Sequence, residues 1–132
     1  MQNVEEKKKE EQSVKPLDLK DISQLGYVQK TKEVFKGVTM TLQTLSASRQ
    51  HQILSMLPAN NVDALAKYTQ MQVETLALAT LAINDKKYSE ADVDTLRQFY
   101  AGLQSKVLQE FYAFYTELVM DQESVLVGLK KT

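Results

Sequence analysis

The chain has 132 residues, 43% of them hydrophobic and 25% charged, with a formal net charge of −1. This is the balance of one globular domain with material for one modest core. The lack of a basic excess argues against a protein that grips nucleic acid through its phosphates. The absence of cysteine excludes disulfides, thiolate zinc sites and cysteine nucleophiles. The longest strongly apolar run, Leu76 to Ile83, is far shorter than the roughly 20 residues a membrane-spanning helix needs, so no membrane segment is expected.

In chain order, residues 1–15 read as a disordered charged tail. The stretch Glu5 to Glu11, EEKKKEE, has no apolar face to offset its ordering entropy. The tail also lacks the apolar stretch of a secretory signal. Residues 16–132 read as a single helical domain with a β-hairpin near 27–45. Leu17 to Leu25, between Pro16 and Gly26, suits a single helical turn. In VTMTLQTL, Val38, Met40 and Leu42 alternate with Thr39, Thr41 and Gln43, the two-residue period of a half-buried strand. Lys36-Gly37 supplies the turn that pairs this run with Tyr27 to Phe35.

Ser46 is the expected cap of a helix over 47–56, which Pro58 stops. Asn61 is the next expected cap, for a helix from Val62 to Ile83. That helix is apolar nearly all round in its second half, which predicts a central, buried element. Asn84 to Lys87 reads as a turn. Ser89 with Asp92 resembles a capping box for the next helix. Gly102 and Ser105 divide the remainder into helices near 90–103 and 105–127, and Lys130 and Lys131 suit a helix C-terminus. The expected fold is mostly α, a bundle of four to five helices with one small N-terminal hairpin.

Nothing in the sequence assembles catalytic, cofactor-binding or metal-binding chemistry. His51 is the only histidine, and no motif sets an acid and a nucleophile beside it. The glycines at 26, 37, 102 and 128 are scattered, so no phosphate-binding loop appears. Asp92 and Asp94 mark a helix start and lack the glycine of a calcium loop. Glu110 and Glu117 share one helix face and suit a solvated charged surface.

The informative segment is FYAGLQSKVLQEFYAFYTELV, residues 99–119. On a helical wheel Leu96, Phe99, Tyr100, Leu103, Val107, Phe111, Phe114 and Leu118 make one stripe. Leu108, Tyr112, Tyr115 and Val119 widen it to roughly 220°, where a single core needs a stripe of little more than about 100°. Either the chain covers the surplus with its own hairpin and N-terminal segment, or the surplus faces a partner or a second copy. Tyrosine suits the second role, with an apolar ring and a hydroxyl that tolerates water.

Three stretches resemble the tail assembly chaperones of tailed bacteriophages and, more loosely, small baseplate proteins. FKGVTMTLQTLSASRQHQIL, residues 35–54, resembles their strand followed by a polar helix. LALATLAINDKKYSEADVDTL, residues 76–96, resembles their apolar helix, Ile-Asn-Asp turn and new helix. LQEFYAFYTELV, residues 108–119, is similar to their C-terminal helix. The resemblance implies a non-enzymatic helper in tail morphogenesis without a cofactor, acting in the host cytoplasm. It would chaperone the tape measure protein and help recruit tail tube subunits. The alternatives are a baseplate or tail-completion subunit retained in the virion, and a cellular helical adaptor. Leu108, Tyr112, Tyr115 and Val119 are the contact residues it implies. Protein partners or a homo-oligomer are expected, and neither nucleic acid nor membrane.

Overall fold

The alternating run at residues 38–43 does form a strand, and the chain builds a sheet around it. The structure is a computed structural model that describes residues 15–57 and 63–131. Strand β1 (Gln29–Phe35) pairs antiparallel with β2 (Val38–Gln43) across the turn Lys36-Gly37. Gly37 takes φ +82° where a Cβ would meet nothing within 4 Å, so backbone conformation alone demands the glycine. One short helix, α1 (Leu19–Ser23), precedes the hairpin, and Asp18 caps it by accepting the Asp21 N–H at 2.8 Å.

Helix α2 (Ala47–Met56) starts at Ser46, whose Oγ accepts the Arg49 N–H at 3.2 Å. Helix α3 (Ala64–Ala79) is capped by Asp63, whose carboxylate takes the Leu65 N–H at 3.2 Å. The expected Pro58 stop, the Asn61 cap and the Val62 start lie outside the described residues.

The expected helix through Ile83 ends early, at Ala79. The chain turns extended as β3 (Thr80–Ile83), reverses at Asn84-Asp85 and pairs back as β4 (Lys86–Lys87). The cause is tertiary. β2 would otherwise bury a row of unpaired amide and carbonyl groups, and β3 satisfies them, with Met40 opposite Ile83 and Thr41 opposite Ala82. Asn84 closes the reversal at φ +53°, and its Oδ1 accepts the Thr39 N–H at 2.9 Å. The hairpin is therefore one half of a four-stranded antiparallel sheet, ordered β1-β2-β3-β4. The fold is mostly α with this sheet as its β part, not a bundle with an appended hairpin. The Ile-Asn-Asp turn joins two strands rather than two helices.

Asp92 accepts the Ser89 N–H at 2.8 Å and starts a short 3₁₀ turn (Glu90–Asp92) that leads into α4 (Val93–Ala101). Gly102 ends α4, and the long helix α5 (Ser105–Leu129) follows, so the predicted break is present. Met40 and Leu42 of β2, Leu76 and Ala79 of α3, Leu96 and Tyr100 of α4, and Phe111, Phe114 and Leu118 of α5 form the core. The opposite sheet face is polar. Thr31 and Glu33 of β1 are exposed there, and the Thr31 and Thr41 hydroxyls lie 2.7 Å apart.

Candidate functional site

Two helices position the site. Helix α3 splits lengthwise in character: Gln72 to Ala79 is buried, whereas Leu65 and Tyr68 in the first half stand exposed. Helix α5 passes beside that first half. Their aromatic side chains meet at Tyr68 and Tyr112, edge to face with ring centroids 6.1 Å apart, and Tyr112 continues to Tyr115 at 5.9 Å.

Beside this aromatic contact runs a groove of about 460 Å³. Tyr68 and Gln72 form one wall, and Tyr112, Ala113, Thr116 and Met120 the other. The spacing of the α5 residues places them along one helix face. Met120 at 66% exposure and Tyr68 at 48% leave the groove open to solvent. Burial, and then Tyr68, raise the Tyr112 hydroxyl above the usual phenol value. Burial, and then Tyr112, push Tyr115 up to about 12. Both phenols are therefore protonated and uncharged at neutral pH, and Tyr112 joins Tyr68, Ala113 and Met120 as the apolar part of a groove that also carries Gln72, Gln109, Thr116 and Glu117.

The four contact residues expected on α5 divide between core and surface. Leu108 (3% exposed) and Tyr115 (7%) belong to the core. Tyr112 and Val119 are half-buried at the core's margin. The physical reason is coverage. The sheet and α3 together wrap α5 further round than one hairpin could, and they absorb much of its surplus apolar circumference. The sequence reading missed Leu65, Tyr68 and Met120. It treated the whole of α3 as central, although Lys67, Thr69 and Gln70 around Tyr68 signal a solvent-facing first half.

A second hollow of about 550 Å³ lies at the end of the sheet, between Tyr27, Leu45, Leu78 and Tyr88, with an Arg49–Glu90 ion pair among its lining residues. Its serines are engaged locally: Ser23 donates to the Lys20 carbonyl, Ser46 caps α2, and Ser89 exchanges contacts with Asp92. His51 is exposed on α2. Among the described residues no group of three or more His, Cys, Asp or Glu side chains is placed to hold a metal ion. No described helix is long and apolar enough to cross a membrane.

No family model, characterised protein or solved structure matches this chain. The groove must therefore be read from its own chemistry.

Proposed function

We propose that this chain is a non-enzymatic protein-binding factor that holds an amphipathic helix of a client protein in the groove between α3 and α5. The observation that carries this reading is that exposed Tyr68 and Met120 line the groove beside Tyr112. A helix inserting apolar residues at i, i+3 or i+4, and i+7 finds aromatic walls there, with hydroxyls at the margin that stay hydrated. Tyrosine rings give large contact area at small entropic cost, which suits them to anchor such a contact.

The place of this activity in tail morphogenesis, with the tape measure protein as client, rests on the resemblance at residues 35–54, 76–96 and 108–119. A tape measure protein is long and helical, the kind of client an open aromatic groove serves. The test is co-expression with a phage tape measure protein, followed by co-purification. Tyr68→Ser together with Tyr112→Ser is expected to abolish capture while the chain stays folded, its thermal midpoint falling by about 5 °C. Undiminished capture by that folded double variant rules out the groove. Peptide mass analysis of purified virions separates a chaperone, which is absent from the particle, from a baseplate subunit, which is present in fixed copy number.

A further inference from the structure

Gln72 follows Tyr68 by one helical turn on α3 and keeps only 4% of its surface. Its carboxamide can both donate and accept, yet it makes no hydrogen bond among the described residues. Its buried neighbours differ. Arg97 donates to both oxygens of Glu74, and Thr80 donates to the Leu76 carbonyl. Among the described residues no sealed side-chain nitrogen or oxygen lacks a partner, so the Gln72 amide is not sealed. The sliver of surface that Gln72 retains therefore includes its polar atoms, and that surface opens on the groove between α3 and α5.

Solvent meets this amide while the groove stands open. A helix that covers the groove expels the solvent, and an amide then left without a partner weakens binding. The occupant must replace what it displaces. Glu117 is the one charged residue among those lining the groove, and it is already engaged by Lys32 at 2.9 Å and Lys30 at 3.6 Å. A lysine or a carboxylate brought in by the occupant would thus be covered without a counter-charge. A neutral side chain that both donates and accepts suits the position. A second carboxamide suits it best, because its oxygen and nitrogen can meet those of Gln72 head to head. Ala113, small and exposed on the facing helix, leaves room for it.

We infer that the client helix presents an Asn or Gln to Gln72, one helical turn from a large apolar residue seated against Tyr68 and Tyr112. The inference rests on the groove reading above and adds selectivity to it. Apolar contact alone lets a helix slide by a turn, whereas a covered amide pair fixes one register and disfavours clients that lack the amide.

A displayed library of amphipathic helices, randomised along the apolar face and panned against the full chain, tests it. Selection is expected to enrich Asn or Gln one turn from Leu, Phe or Met. An enriched helix, made as a labelled peptide, is then titrated by fluorescence anisotropy. Replacing its amide residue by Leu is expected to weaken binding to the parent about tenfold. With Gln72→Met the same replacement is expected to strengthen binding or to change it less than about twofold, because no amide remains to be stranded. Gln72→Met and Gln72→Leu each delete a group without a hydrogen-bond partner among the described residues, so either serves if its circular dichroism spectrum matches the parent's. The selection itself needs neither. If no helix is enriched, or the enriched helices bind the Tyr68→Ser, Tyr112→Ser variant undiminished, the groove reading falls and this inference with it. If helices that lose binding to that variant carry only apolar residues on the randomised face, or keep their amide preference on Gln72→Met, the groove reading stands and the amide pair is overturned.

Discussion

Thr80 and Tyr100 meet oxygen to oxygen at 2.6 Å in the buried core, one at the point where α3 becomes β3 and the other on α4. Thr80 Oγ1 also lies 2.6 Å from the Leu76 carbonyl, which can only accept, so the threonine hydroxyl donates there. Tyr100 must then donate to Thr80. The one hydroxyl thus caps a helix end and satisfies a buried phenol.

This directionality makes the two truncations unequal. Tyr100→Phe removes a donor and leaves Thr80 bonded to Leu76, at an expected cost of about 1 kcal/mol. Thr80→Val leaves the Tyr100 hydroxyl buried without an acceptor, at an expected cost of about 1 to 3 kcal/mol beyond the change in backbone preference. Urea unfolding of both single variants and the double variant measures the difference. A Tyr100→Phe loss larger than that of Thr80→Val contradicts the assigned donor.

The Glu74–Arg97 pair separates a costly ion pair from cheap ones. Glu74 is only 4% exposed, and Arg97 Nε donates to both of its oxygens, at 2.7 and 2.9 Å. Arg97→Ala strands a buried carboxylate and is expected to cost about 3 to 5 kcal/mol. Lys32→Ala, at the exposed Lys32–Glu117 pair (2.9 Å), is expected to cost less than about 1 kcal/mol. Chemical denaturation of the two variants side by side tests the ranking.

Alkaline pH should loosen the fold through its tyrosines. Tyr115 is pushed up to about 12, and burial raises Tyr100 as well. An unfolded tyrosine ionises near pH 10, so above that pH the unfolded chain sheds protons the folded chain keeps. The stabilisation is full below about pH 10 and is lost as pH rises through about 12. Melting midpoints are expected to fall steeply over that interval, and Tyr115→Phe to flatten the fall.

Truncations along α5 should distinguish core from groove. Tyr115→Ser is expected to cost about 3 to 5 kcal/mol, as for other buried aromatic residues cut to small ones. Tyr112→Ser, half-buried, is expected to cost roughly 1 kcal/mol. Equal losses in calorimetric or urea unfolding would show that Tyr112 is as structural as Tyr115. Tyr68, Tyr112 and Met120 are the residues with which to probe the proposed client contact.

Gly26 is the one glycine pressed from two sides, by φ +79° and by Leu126. Gly26→Ala is expected to destabilise the chain by about 1 to 2 kcal/mol, and Gly37→Ala by about 1 kcal/mol, from conformation alone. Adding Leu126→Ala should relieve part of the first loss and none of the second, which thermal unfolding of the double variants reads directly.

Local signals in the sequence carried much of the fold. Alternation marked β2, Ser46 and Ser89 with Asp92 marked two helix starts, and Gly102 marked the break before α5. Each is a short-range effect of side chain on its own backbone. The strand at Thr80–Ile83 was not legible, because Leu81, Ala82 and Ile83 continue an apolar helical pattern as readily as they form a strand. What separates the two outcomes is the unpaired edge of β2, some forty residues earlier. The candidate groove was half legible for the same reason. The wide apolar circumference of α5 is a property of its sequence. Which part of it stays bare depends on the sheet and α3, which seal Leu108 and Tyr115 and leave Tyr112 beside Tyr68. Helix and turn signals act within a few residues, so the sequence alone determined them. Strand pairing and burial join residues far apart in the chain, and only the tertiary structure decided them.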